Sequence, residues 1–160
     1  MRDKIAESNE MVKELATNDE RVRLLRSIPG LGPFFSVMAA NEIDDISRFS
    51  DEKKLCAYAG LVPSTHASGG RTFHGRITKT GNKWLRWAFV EAVPPAIKHD
   101  ADLFAYYQRL KIRKGNNAAK VATARRLLTV AYRVLKQERL YQRRMRMPER
   151  CCAPAALKSL

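Results

Sequence analysis

Ser68 sits in the run Ala67-Ser68-Gly69-Gly70, and its setting is the most nucleophile-like in this 160-residue chain. Glycines beside a hydroxyl leave room for a bulky phosphodiester to reach it. Arg71, Arg76 and Lys79 follow closely, and cations so placed can stabilise charge growing on a phosphate under attack. A hydroxyl nucleophile needs a proton acceptor. His66 and His74 both lie near, and the sequence does not choose between them. The surrounding stretch from Gly60 to Arg86 contains no Asp or Glu and adds Lys83, Arg86 and the hydroxyls of Ser64, Thr65, Thr72, Thr78 and Thr80. Taken by itself a Ser-Gly-Gly run is usually just a loop, so the residues speak for polyanion binding before they speak for catalysis.

The charge of the whole chain points the same way. The formal net charge is +14, and after Lys53 the only acids are Glu91, Asp100, Asp102, Glu138 and Glu149. A near-neutral first third is therefore followed by a strongly basic remainder. Such an imbalance says little about fold but much about partners. Nucleic acid comes first, because each neutralised phosphate releases a counterion. An acidic membrane surface comes second, and no apolar run is long enough to cross a bilayer. Phe73, Trp84 and Trp87 interleave with the cations and can stack on bases. Trp84 is expected to pack in the core, which leaves Phe73 as the aromatic contact.

A metal centre is not expected within this chain. His66, His74 and His99 lack partners at ligand spacing, and Asp44-Asp45 and Asp51-Glu52 read as loop and helix-cap charges. Cys56, Cys151 and Cys152 form no CxxC pair, which fits a reducing cytosol.

Mostly helical elements must position the basic stretch. The pattern predicts one charged helix over residues 3 to about 26, with Ile5, Val12, Leu15 and Val22 at roughly heptad spacing. Ser27 to Ile43 reads as a helix-hairpin-helix. Gly30 and Gly32 make its turn, Pro33 stands in the first helical turn, and the free N–H groups near Phe34 and Phe35 are available to a phosphate. A connecting loop covers residues 44 to 49. Ser50 is expected to cap a short helix running to about Tyr58 and ended by Gly60. Residues 71 to 79 suggest a short hairpin or irregular ribbon.

Beyond the basic stretch, Asn82 opens a helix from Lys83 to about Ala92, with Trp84, Leu85, Ala88 and Phe89 inward and Pro94-Pro95 kinking or stopping it. Asp100 caps a helix to about Arg113. The last helix runs from about Ala118 to Glu138 on the stripe Val121, Ala124, Leu128, Ala131 and Leu135. A basic tail from Tyr141 reads as disordered. The expected architecture is mainly α: a helical arm over 1–26, a DNA-binding domain over 27–139 with the helix-hairpin-helix, a glycine-rich loop or small β-hairpin and a C-terminal helical pair, and a disordered tail over 140–160.

Several of these segments occur in one order. Ile28-Pro29-Gly30-Leu31-Gly32-Pro33, an acidic loop, then the run from Arg48 to Ser64 and the run from Ser68 to Arg86 together resemble the C-terminal domain of insertion-sequence transposases of the IS one-ten and IS eleven-eleven type, relatives of the Piv invertases. The likeness spans about Leu24 to Glu138. It implies a transposase that recombines DNA through a serine, with an N-terminal RuvC-like domain whose DEDD carboxylates bind magnesium, and in some members a guide RNA. It implies the catalytic serine at Ser68, by its place in the P-x4-S-G pattern. It also implies DNA-contacting or site-shaping roles for Arg76, Lys79, Gly81 and Arg86 in the G-R-I-x-K-x-G-x4-R signature. Arg71 and Lys83 join them as cations, and Gly30 and Gly32 as the hairpin turn. The RuvC-like segment is not in this sequence. The expectation is therefore a transposase fragment with no cofactor of its own. Its partners would be DNA, another copy or a full-length transposase, and it would be a bacterial cytosolic, nucleoid-associated protein. The rival expectation is a non-catalytic DNA- or RNA-binding module.

Overall fold

Asp19 interrupts what the heptad spacing predicts as one helix. In the computed structural model, which describes residues 4, 10–12, 14, 18–68, 71–78 and 80–142 and only the backbone of 65–68 and 71–76, the described residues up to Asn18 are helical and Asp19 is extended. Its carboxylate accepts from the N–H of Arg21 at 2.8 Å and caps a new helix, α1 (Glu20–Arg26). The capping hydrogen bond and the Arg21 guanidinium on the same carboxylate favour a break at this point. Val22, Leu24 and Leu25 of α1 are buried, so this segment is part of the core. Ile5 and Leu15 of the predicted seam lie outside the described residues.

From α1 the chain turns through Ser27 to Gly32 into α2 (Pro33–Ile43) and a single 3-10 turn (Ile46–Arg48) within the predicted loop. Helix α3 (Glu52–Tyr58) follows. Asp51 caps it, accepting from the Lys54 N–H at 2.8 Å, one residue later than the predicted Ser50. An aspartate carboxylate is the more effective acceptor beside a helix N-terminus. Gly60 (φ 67°) ends α3. Strands β1 (Pro63–Ser68) and β2 (Arg71–Ile77) pair antiparallel as a hairpin. Helices α4 (Lys83–His99), α5 (Ala101–Lys114) and α6 (Asn116–Gln137) complete the fold.

Helix α6 is the central element and touches α1, α3, α4, α5 and the 3-10 turn. Neighbours on several sides explain why it buries Leu127, Leu128, Ala131 and Val134 together, each large side chain adding about 2 kcal/mol on burial. Of the predicted stripe, Val121 is half-buried and the others are buried. Helix α4 differs from expectation twice. It continues through Pro94 and Pro95 to His99, held on both sides of the pair by buried Ala92, Val93 and Ala96. Trp84, expected inward, is 51% exposed; the stripe of Leu85, Ala88, Phe89 and Ala92 fills the core and Trp84 flanks it.

Tyr141, placed in the tail by the sequence reading, is tied down. Its N–H donates to Ser27 Oγ at 2.8 Å and its hydroxyl donates to Asp100, a buried carboxylate that also accepts from the N–H groups of Asp102 (2.9 Å) and Leu103 (3.0 Å). Burial and this carboxylate push the Tyr141 hydroxyl far above the usual tyrosine range. Residues 143–160, with Cys151 and Cys152, lie outside the described residues. Cys56 is buried against Thr129, and burial raises its thiol pKa. Among the described residues no buried side-chain nitrogen or oxygen lacks a partner.

Candidate nucleic-acid interface

The β1–β2 hairpin carries the predicted nucleophile. Its register pairs Pro63 with Ile77, Thr65 with His74, His66 with Phe73, Ala67 with Thr72 and Ser68 with Arg71. Ser68 is thus the last residue of β1 and Arg71, opposite it, the first of β2. Residues directly opposite in an antiparallel pair share a face, as do residues two apart along a strand. Ser68, Arg71, His66 and Phe73 therefore occupy one face of the ribbon, and Thr65, Ala67, Thr72 and His74 the other. Between Pro63 and Thr65 the register slips, so that Gly75 and Arg76 together stand opposite Ser64, as in a bulge. Lys79, Gly69 and Gly70 lie outside the described residues.

The foot of the ribbon is fixed to the core. Val62 and Ile77 pack against the core, and the N–H of Thr78 donates to the carbonyl of Val62 at 3.0 Å. Among the described residues the two strands make extensive contact with each other. Five residues at the usual rise separate Pro63 from Ser68, about 16 Å.

Both ends of the hairpin meet the C-terminal end of α3. The N–H of Leu61 donates to the Cys56 carbonyl at 2.9 Å, and that of Asn82 to the Tyr58 carbonyl at 2.7 Å. Gly81 (φ 112°) permits this approach, since a Cβ there would stand 2.2 Å from the Tyr58 carbonyl oxygen. Asn82 caps α4, accepting from the N–H groups of Trp84 and Leu85 at 2.9 Å, while its amide donates to Glu42 and, at 3.3 Å, to the Tyr58 hydroxyl. The Arg86 guanidinium is half-buried and donates to the Ala59 carbonyl at 3.0 Å. The second glycine and the arginine of the G-x4-R signature thus anchor the hairpin to α3. Lys83 is exposed, with its ammonium 5.1 Å from the Trp84 ring centroid.

The glycine turn lies elsewhere. Gly30 (φ 90°) abuts the far half of α4, where a Cβ would stand 2.3 Å from the Ala92 carbonyl oxygen and 2.9 Å from Ala96. Nine to thirteen helical residues separate Lys83 from these contacts, roughly 14–20 Å along α4. Gly30 is therefore not gathered with the hairpin into one cluster, whereas the first turn of α2 reaches toward Lys83 through Phe34 and Phe35 on Trp87. Gly32 is exposed, has open space where a Cβ would be, and provides no side-chain cap for α2. The amides at the start of that helix are left without the cap that a serine or aspartate supplies.

The same contacts belong to a feature the sequence reading missed in part. Trp87 makes T-shaped contacts with Trp84 (centroids 6.3 Å apart), Phe35 (5.3 Å) and Phe34 (6.4 Å), and Trp84, Phe34 and Trp87 are 51%, 50% and 43% exposed. The signal was present. Leu85, Ala88, Phe89 and Ala92 already complete the buried stripe of α4, so a tryptophan at 84 or 87 falls beside it.

The described carboxylates near the fold's centre have other roles. Asp45 caps the 3-10 turn, Asp51 caps α3, Glu52 pairs with Arg133 at 3.0 Å, and no group of three metal-binding side chains occurs among the described residues. No helix among them is long and apolar enough to cross a membrane.

Comparison with known proteins yields a family match over residues 22–108, to the transposases of the IS116/IS110/IS902 family. The chain is 28% identical over 142 residues to the transposase of insertion sequence IS1111A from Coxiella burnetii, covering 86% of this chain and 39% of that protein. It is 33% identical over 132 residues to the pilin gene-inverting protein of Moraxella bovis, covering 79% and 40%. A shorter stretch of 83 residues is 42% identical to the mini-circle putative transposase for IS117 from Streptomyces coelicolor, 48% of this chain and 20% of that one. The chain thus spans well under half the length of these curated relatives.

Proposed function

The chain belongs to the IS116/IS110/IS902 transposase family, and from that premise we propose that it is the DNA-binding C-terminal part of an insertion-sequence transposase and contributes Ser68 as the nucleophile of strand cleavage. The observation that carries this reading is the hairpin register. It pairs Ser68 with Arg71 at the end of a ribbon whose foot is anchored to the core.

In the proposed step the Ser68 hydroxyl attacks a backbone phosphorus. A serine–phosphate ester forms and one phosphorus–oxygen bond of the strand breaks. The hydroxyl proton leaves to a base, and the departing sugar oxygen is protonated in turn. His66 shares the face of Ser68 by register and His74 does not, which favours His66 as the base. Arg71 and Arg76 stabilise the charge gathering on the phosphate. Lys83 adds a phosphate contact at the hairpin foot, and Arg86 acts by holding that foot to Ala59. Magnesium, where the reaction uses it, is supplied by another domain.

Two measurements test the reading. Duplex binding by this chain weakens steeply as salt rises from about 50 to 200 mM, by a hundredfold or more if several phosphates are neutralised; a flat dependence rejects a phosphate-tracking surface. In a strand-transfer assay supplied with the family's metal-bearing domain, Ser68→Ala leaves duplex affinity within about twofold and abolishes transfer. Transfer at the unsubstituted level removes Ser68 as nucleophile and leaves a binding module.

A further inference from the structure

We propose that the stripe formed by Phe34, Trp87 and Trp84, with the Lys83 ammonium at its end, is a stacking site for unpaired bases of single-stranded DNA. The inference rests on the DNA-binding reading above and goes beyond it. It assigns base contact to the α2–α4 helix pair, where the sequence favours Phe73 over Trp84 and Trp87 as the stacking aromatic and gives Phe34 no such role.

The geometry is that of an open aromatic platform. Rings crossing at 77° to 80° meet edge to face and are not stacked on one another, so each contact covers one flat surface of one ring and the partly exposed remainder faces solvent. About half of Trp84, Phe34 and Trp87 faces solvent in a fold whose other large aromatic on α4, Phe89, is fully buried. Such a patch invites a partner. The adjacent charge identifies it. Lys83 stands over Trp84, and the hairpin that follows Gly60 adds cations without a single acid up to Arg86. A polyanion with flat apolar faces matches both properties. In a duplex those faces are stacked on each other; only unpaired bases expose them to a protein ring. Cutting and rejoining DNA strands is the chemistry that presents such bases to this protein.

The chain's only two tryptophans, Trp84 and Trp87, both belong to the stripe, so selectively excited tryptophan emission reports on it. The chain is titrated with a thymidine 20-mer, an abasic strand of equal length, a duplex of equal length and a uridine 20-mer. The thymidine strand is expected to quench emission strongly and to bind roughly fivefold or more tightly than the abasic strand, the increment of one stacked base. The abasic strand and the duplex bind through phosphates and leave emission nearly unchanged. Trp84→Ala removes the advantage of thymidine over abasic strand, Trp84→Phe restores it, and Lys83→Ala weakens both alike.

Equal affinity for thymidine and abasic strands, with unquenched emission and intact duplex binding, overturns the stacking site and leaves the proposed function standing. Failure to bind any of the strands overturns both. A tighter, quenching response to uridine than to thymidine makes the site an RNA site and overturns the assignment to DNA. A blue shift that grows with protein concentration alone, or with anionic vesicles, shows the stripe covered by a second copy or a lipid surface and likewise overturns it.

Discussion

The Ser27–Gly32 turn and the β1–β2 hairpin look alike on paper, each a glycine-bearing segment suited to phosphate, and the fold uses them in opposite ways. The turn is driven into its neighbour: Gly30 lies where any side chain would strike the Ala92 carbonyl. The hairpin is held at its foot by the α3 terminus, through Gly81, Asn82 and Arg86, while its described strands pair with each other. One glycine motif therefore brings backbones together, and the other segment is tied to the fold at its foot. A glycine motif does not by itself distinguish close packing from access to a ligand.

Substitutions can break or sharpen that contrast. The largest effect is expected from Gly30→Ala, which forces a Cβ into backbone at a positive φ; a loss of about 3 kcal/mol or more should appear in urea unfolding. An unchanged midpoint would show that the turn is not packed as described. Gly81→Ala meets the Tyr58 carbonyl at 2.2 Å and should cost about 2 kcal/mol, with hydrogen exchange accelerated first at Thr78 and Asn82, whose N–H groups close the hairpin foot.

A smaller effect attaches to the helix that feeds the turn. Arg21 beside Asp19 holds its carboxyl below the usual 3.8. A depressed folded-state pKa gives stability that is present above about pH 4 and lost as pH falls through the folded value. Asp19→Asn keeps a capping oxygen but removes the charge. It should lower stability by less than about 1 kcal/mol at pH 6, with the difference vanishing near pH 2. A constant gap across that range would assign the effect to the cap. The smallest effect is expected from Gly32→Ala, at an ordinary φ of −70° with open space beside it: stability within about 0.5 kcal/mol. Any loss of duplex binding in that variant would reveal a phosphate at the α2 amides; unchanged binding would confine the interface to the hairpin side.

Much of the scaffold was legible because its signals are local. Asp100 and Asn82 cap the helices they were expected to cap, Gly60 ends α3, and the stripe of α6 points inward. The misses have definite causes. Pro94 and Pro95 remain inside α4 because buried neighbours hold the helix where local propensity argues for a stop. Tyr141 is ordered because Ser27 and Asp100, distant in sequence, receive its backbone and hydroxyl. Trp84 flanks the buried stripe because Leu85, Ala88, Phe89 and Ala92 already fill the inward arc of α4, a periodic signal that its hydrophobicity alone obscures.

By itself the sequence determined a mainly helical domain, the transposase family, and an acid-free stretch around Ser68, because composition, spacing and caps are properties of neighbouring residues. Tertiary structure alone decided that Gly30 packs roughly 14–20 Å along α4 from Lys83, and that two tryptophans and a phenylalanine share one open stripe. Those are distances between segments remote in the chain, and the packing of α2 against α4 fixes them.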